Sequence, residues 1–573
     1  MKLSPRNQLL LGIRRKAILR GDEQRLISQS GRPYTWLLDL RRILTDARLL
    51  DAAAELFWDV MKDCGPFQVG GMEVAAIPLL SAILLKSVAH GRPINGFIVR
   101  KERKTYGTGA LIEGELTDEP IVIVDDVINS AKSLDKVRAV LFSYGRTIES
   151  VFALVDYQSP RGLRWREAHS VAVSAPFSLA DFGLSLNRNR EPAIPDIFEV
   201  VWRFAPPDPN FFHRVPKSFP VVDAHRLYVG SDCGTFWALN ARDGKVEWTF
   251  KVSSPGHKNI WSSPALHEDR VFFGAYDGNL YCLNCASGQE IWRFEGADWI
   301  GSSPALAPAL NLVFVGLEFA VEGRRGSIAA VDLRTGEKVW EHLTKRYTHA
   351  SPAYWPERGV VCCGSNDNEV LMFEATTGRL LWRFETRGER GKGSVRHAVA
   401  FDKERGAVIV ACADGVIYIV DATSGCELWS VETDNTLYTI PLVVKDLAFV
   451  GSTDKHLYIL DLGRATLLRK INLGSKVFSP PRLIGRSVYV GDCAGRIHQF
   501  DPERGLETGY HQLPDSITGA MTCSPDGETY YATTYVNEVF ALRLRCGSSG
   551  REHASEARRE IQIGTSNLHI YAA

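Results

Sequence analysis

Residues 121–134 read IVIVDDVINSAKSL. An apolar run ends in two adjacent aspartates, Asp125 and Asp126, and a short polar stretch follows before a helical pattern begins. That order suits a phosphosugar site, because a helix N-terminus presents unpaired N–H groups and the positive end of a dipole to a phosphate. The polar stretch holds no glycine, where a phosphate cradle usually has one.

Around this stretch, helical runs alternate with short apolar ones. Helices are expected at about 47–63, 73–90 and 134–144, and strands at 94–99, 121–124 and 151–155. Such alternation implies an α/β domain with a mainly parallel sheet. Ligands then sit at the carboxyl ends of the strands, where Asp125 and Asp126 fall.

From about residue 215 to 544 the period changes. RLYVGSDCGTFWALNARDGKVEW, RVFFGAYDGNLYCLNCASGQEIW, GVVCCGSNDNEVLMFEATTGRLLW and AVIVACADGVIYIVDATSGCELW are copies of one unit. Each reads as a strand, a turn rich in Asp, Asn and Gly, a second strand, a further turn, and a strand carrying tryptophan. Glycine precedes tryptophan by four at Gly244/Trp248, Gly288/Trp292, Gly336/Trp340, Gly378/Trp382 and Gly425/Trp429. Successive tryptophans lie 44, 48, 42 and 47 residues apart. Units of this size must stack to bury both faces, and radial stacking gives a β-propeller. In two weaker copies Arg469 and Gly509 stand near the tryptophan position. The last copy, TYYATTYVNEVFALRL, stops before its tryptophan strand, while the orphan EVVWRFAP holds Trp202, 46 residues before Trp248. The orphan is expected to supply the missing outer strand, giving eight blades.

The expected organisation is therefore an α/β domain over residues 1–190, a linker with the closing strand over 191–216, a propeller over 217–544 and a polar tail over 545–573. With 67 basic and 67 acidic residues, the chain has no net field to draw nucleic acid or anionic membrane. No stretch approaches the length of a membrane span, and LLLGI at residues 9–13 is too short for a signal-peptide core. Eleven scattered cysteines do not suggest a disulfide framework, and Cys282 and Cys285 of CLNC, with no second pair, read as strand residues rather than metal ligands. The expected location is cytoplasmic.

The stretch at 121–134 resembles the 5-phosphoribosyl-1-diphosphate (PRPP) motif of type I phosphoribosyltransferases. SGRPYTWLLDLRRIL (30–44) and GFIVRKERKTYGTGALIEGEL (96–116) narrow the resemblance to the orotate phosphoribosyltransferase branch. The resemblance implies that Asp125 and Asp126 hold the ribose and that Asn129, Ser130, Lys132 and Ser133 surround the 5′-phosphate. Arg100 and Lys101 would face the diphosphate, and Lys104 would reach it from a mobile loop. It also implies PRPP with Mg2+, orotate or another nitrogenous base as acceptor, and a homodimer. Several ligand positions depart from the family pattern. Ala131 replaces the loop glycine, Ala75–Ala76 stand in the diphosphate loop, and Tyr106 replaces the mobile loop's histidine. Gln29 replaces a lysine, and Tyr157 replaces the arginine after the strand-end Asp156, with Arg161 close in sequence. These changes admit a second expectation, a sensor that binds PRPP or a nucleotide without catalysis.

The repeats resemble the pyrroloquinoline-quinone (PQQ) propeller family, with its D…TG…W signature, over about 198–544. Adjacent cysteines lie beside the quinone in some members of that family. Cys362 and Cys363 fall mid-strand instead, so PQQ is not expected, and the propeller reads as a scaffold or as a module that binds a protein partner. Trp261, His349, Arg396 and Tyr438 precede inner strands at comparable offsets and are candidates to ring an axial pocket.

Overall fold

The computed structural model describes residues 3–20, 36–103, 109–186, 194–207, 218–253, 259–320, 325–388 and 393–545. The chain divides into two units between Ile194 and Pro195.

The first unit opens with α1 (Pro5–Gly12) and a short antiparallel pair, β1 (Ile18–Arg20) and β2 (Trp36–Leu38). Then follow α2 (Arg41–Leu44), α3 (Ala47–Met61), β3 (Gln68–Met72), α4 (Ile77–Ala89), β4 (Gly96–Val99) and β5 (Ile112–Gly114). The remainder is β6 (Ile121–Ile128), α5 (Lys132–Ser143), β7 (Ser150–Asp156), α6 (Pro160–His169), β8 (Ala172–Ser174) and β9 (Phe177–Ser178). The sheet runs β5-β4-β3-β6-β7-β8, with β9 also on β7, and is parallel except at the β4–β5 edge.

Helices cover both faces, as a parallel sheet requires. On one face Phe57 of α3 meets Phe152 of β7 edge-on at 5.2 Å. On the other, Val137, Val140 and Leu141 of α5 pack on Ile121, Ile123 and Val151. The Asp46 side chain accepts from the N–H groups of Arg48 and Leu49 and so starts α3.

Two boundaries differ from expectation. The strand carrying the aspartates continues past Val124 to Ile128, because β7 extends the pairing through Asp125–Ala153, Val127–Val155 and Ile128–Asp156. The two acids are thus strand residues, held by a ladder on a rigid element. Helix α4 begins at Ile77 rather than Glu73. Pro78 fits a first helical turn, where no N–H is needed, but its ring would clash with a carbonyl one turn earlier if the helix began at Glu73.

The second unit is an eight-bladed propeller of four-stranded antiparallel sheets. The first blade comprises Val221–Val222, Arg226–Gly230, Thr235–Asn240 and Val246–Lys251. In the eighth, Phe198–Phe204 pairs with Val539–Leu544 and forms the outer strand, so strands from opposite ends of the unit share one ladder.

The glycine–tryptophan pattern has a specific packing cause. Trp202, Trp248, Trp292, Trp340 and Trp382 each seat on the glycine of the following blade, not on one four residues before them, while the blade after Trp429 has Ala465 at that place. A Cβ on Gly288 would lie 2.5 Å from the Trp248 ring, and one on Gly336 would lie 2.6 Å from Trp292. The indole N–H groups of Trp202, Trp248, Trp292, Trp340 and Trp382 donate to the carbonyls of Ala241, Cys285, Leu333, Ala375 and Ala422 at 2.9–3.3 Å. Where Arg469 replaces tryptophan, its Nε donates to the Arg504 carbonyl at 3.1 Å and keeps the link between blades.

Cys362 and Cys363 are buried free thiols in the strand Val360–Ser365. Adjacent strand residues point to opposite faces, so Cys362 packs in one inter-blade core and Cys363 in another.

Candidate functional site

The centre of the first unit's site is the carboxyl end of β6. Asp125 is buried; its carboxylate accepts from Ser133 Oγ at 3.0 Å and from the Asp126 N–H at 2.9 Å. Burial and the neighbouring Asp126 charge push the Asp125 carboxyl up to about 7. Burial also raises Asp126, against a hydrogen bond from Asp125 and the charge of Arg41. Two carboxylates with a proton held between them can accept hydrogen bonds from neighbouring hydroxyls, the chemistry a ribose diol requires.

The turn between β6 and α5 has the shape of a phosphate loop despite its missing glycine. Ala131 adopts φ 57° and ψ 18°, the left-handed region, immediately before the first residue of α5. That conformation costs an alanine about 1–2 kcal/mol. Its cause lies in the flanking anchors. Asn129 offers its carbonyl to Ser159 Oγ at 2.5 Å, and Ser133 is turned toward Asp125. Asn129 and Lys132 are exposed and Ser130 half-buried, so these side chains border the turn, while Ser133 braces the acid instead of facing outward.

Arg100 follows β4 and is bracketed by carboxylates. Its Nη1 lies 2.5 Å from Glu113 Oε1 and its Nη2 lies 3.6 Å from Glu73 Oε2. Glu73 also accepts from the Lys101 N–H at 2.9 Å, which joins the loop after β3 to the Arg-Lys pair. Glu73 and Glu113 escaped the sequence reading, since only the sheet order brings them to Arg100. Lys104, Tyr106 and Gln29 lie outside the described residues. Among the described residues, no group of three or more His, Cys, Asp or Glu side chains is placed to hold a metal ion.

On the far side of the aspartates, the Tyr157 N–H donates to the Ile128 carbonyl at 2.9 Å, which fixes this residue at the end of β6. Its ring lies 5.8 Å from that of Trp36. Asp156 pairs with Arg166 at 2.7 Å. Arg161 lies in the first turn of α6 with its Nε and Nη2 buried.

The four propeller residues are brought into two groups. Arg396 lies over the Tyr438 ring at 5.5 Å. Trp261 and His349 stand at opposite ends of a run of rings, Trp261–Tyr276–Trp299–Tyr347–His349, with centroids 5.3–6.2 Å apart. His349 Nδ1 lies 2.8 Å from Glu318, a fully buried carboxylate that sequence reasoning missed because it falls inside an ordinary strand pattern.

Known proteins match each unit separately. The PQQ_2 family model, described as outer membrane protein assembly factor BamB, matches residues 199–366 and 366–508. An orotate phosphoribosyltransferase of Bradyrhizobium sp. (strain ORS 278) is 35% identical over 160 residues, which cover 27% of this chain and 85% of that protein. The orotate phosphoribosyltransferase of Mycobacterium avium (strain 104) is 32% identical over 174 residues, 30% of this chain and 93% of that protein. A europium-containing methanol dehydrogenase shares the fold, with a TM-score of 0.51 at 13% identity over 61% of this chain and 93% of its own. No helix among the described residues is long and apolar enough to cross a membrane.

Proposed function

We propose, for a chain that belongs to the orotate phosphoribosyltransferase family in its first unit and to the PQQ_2 family in its second, that the first unit binds PRPP and transfers its phosphoribosyl group to a nitrogenous base. The observation that carries this reading is the Asp125–Asp126 pair on β6, followed by a left-handed turn into α5. In the proposed complex the two ribose hydroxyls donate to these carboxylates. The 5′-phosphate rests on the turn at Asn129–Ser133 and on the first N–H groups of α5. Arg100 and Lys101, with Lys104, face the diphosphate. The bond from ribose C1 to the diphosphate oxygen breaks, and a bond from a base nitrogen to C1 forms as that nitrogen gives up its proton to the departing diphosphate or to water. The electron pair of the broken bond leaves with diphosphate, and fixed positive charge favours that departure. Mg2+ would arrive with PRPP and supply further charge neutralisation on the diphosphate. Orotate, the substrate in the relatives' names, or another nitrogenous base is the acceptor. The propeller serves as a scaffold or holds a protein partner, in a cytoplasmic chain that pairs as a homodimer.

A second reading, a sensor without catalysis, draws on a different observation. Arg100 is already shared between Glu113 and Glu73, which weakens its hold on a diphosphate. Calorimetric titration of the full chain with PRPP and Mg2+ tests the site. The Asp125→Asn/Asp126→Asn variant should lose roughly tenfold or more in affinity, since hydrogen bonds to charged groups are at stake. Diphosphate release with a panel of bases then separates transferase from sensor. Unchanged affinity in the double variant would remove the first unit from the account of ligand binding.

A further inference from the structure

The chemistry beside the aspartates bears on which base the site accepts. Tyr157 follows β7 and is tied to the last residue of β6, and Trp36 in β2 lies against it at 5.8 Å. From Trp36 the chain runs directly into α2, where the Arg41 charge acts on Asp126. The ring pair and the acids therefore border one site at the carboxyl edge of the sheet. The two rings meet at a 55° tilt, half-buried against the core, and the aromatic surface they leave open favours a flat ring, because stacking needs no matching charge.

Three cations on these segments are already engaged by this chain's own acids. Arg41 lies 2.7 Å from Asp39, which also lies 3.8 Å from Arg42, and Arg166 lies 2.7 Å from Asp156. The Nε and Nη2 of Arg161 are buried. A carboxylate on the incoming base would meet Arg41, Arg42 and Arg166 already paired with this chain's own acids, and it would face the Asp125–Asp126 pair. A further negative charge beside a buried acid pair is costly.

Resting on the phosphoribosyltransferase reading above, we infer that the acceptor is an uncharged planar nitrogen heterocycle, stacked at Trp36 and Tyr157, and that a base bearing a ring carboxylate is rejected. Tyr157 is then a residue that sets specificity.

Uridine and orotidine 5′-monophosphates differ only by that carboxylate, so titrating both into the full chain isolates its effect without relying on turnover. Uridine monophosphate should bind roughly tenfold or more tightly than orotidine monophosphate, the cost of an uncompensated charge. Tyr157→Arg should close most of that gap. Trp36→Ala should weaken uridine monophosphate while leaving PRPP binding within about twofold, since stacking acts on the base alone. Equal or tighter binding of orotidine monophosphate by the unaltered chain overturns the inference. PRPP binding with neither nucleotide bound overturns it too, but leaves the PRPP site standing. Failure of PRPP and both nucleotides alike removes the underlying reading as well.

Discussion

Gly288 in the propeller and Ala131 in the first unit occupy the same left-handed region of backbone space, at φ 70° and 57°. In the propeller the position is closed to any side chain, because the Trp248 ring rests where a Cβ would stand. At Ala131 the conformation is imposed by hydrogen bonds on either side of the turn, and a Cβ fits among the buried residues between β6 and α5. One glycine is required by packing, and so recurs at Gly244, Gly336, Gly378 and Gly425, each beneath a tryptophan ring. The other was required by backbone strain alone, and about 1–2 kcal/mol is a tolerable cost within a folded unit.

The largest expected effect tests the packing side of that contrast. Gly288→Ala adds a Cβ 2.5 Å from Trp248 Cε3 at a positive φ, and should destabilise the propeller by about 3 kcal/mol, the sum of overpacking and left-handed strain. Urea unfolding followed by tryptophan fluorescence reads it. A loss under about 1 kcal/mol, the level of strain alone, would mean that the ring moves aside and that the contrast with Ala131 fails.

Buried titrating groups sharpen the comparison next. In the first unit, Asp125 is raised from 3.8 to about 7 by burial and by Asp126. The native state then holds a proton that the unfolded chain lacks, so stability falls as pH rises from about 4 to 7 and levels off above. In the propeller, burial pulls His498 down, but its hydrogen bonds to Asp492 and Glu507 outweigh that and leave it above 6.5. Its stabilisation is complete below 6.5 and is lost as pH rises through the raised value. Asp125→Asn should flatten the first window and His498→Gln the second, the latter by about 1–2 kcal/mol, as expected for hydrogen bonds to charged groups. Unfolding midpoints measured across pH check both. A slope that persists in the matching variant would assign it to other groups.

The smallest effect belongs to Ala131→Gly. Relief of left-handed strain is partly offset by the greater freedom of glycine in the unfolded chain, leaving a net gain of about 0.5 kcal/mol. PRPP affinity should hold or rise slightly. A loss of stability would show that the alanine methyl contributes more by packing than its backbone costs.

Much of this was legible because it is written locally. The apolar run into Asp125–Asp126, the turn before α5 and the repeated tryptophans each depend on residues close in sequence. The reading also located the position whose backbone is strained, since a missing glycine marks where a positive φ is wanted. It stopped β6 at Val124 because two aspartates look like the end of a strand. The ladder to β7 carries the strand past them, and a ladder partner about thirty residues away leaves no trace in local pattern. The bracketing of Arg100 by Glu73 and Glu113 was invisible for the same reason. So was the pairing of Trp36 with Tyr157, across 121 residues of chain.

By itself the sequence determined the two architectures and the acidic centre of the first unit, because periodicity and residue type act over a few residues. Tertiary structure alone decided which glycines the tryptophans cover, which acids hold Arg100, and which rings meet beyond the ends of β6 and β7. Those relations depend on elements that meet only when sheets assemble. Their energies come from contact and desolvation between distant segments, and no local pattern encodes them.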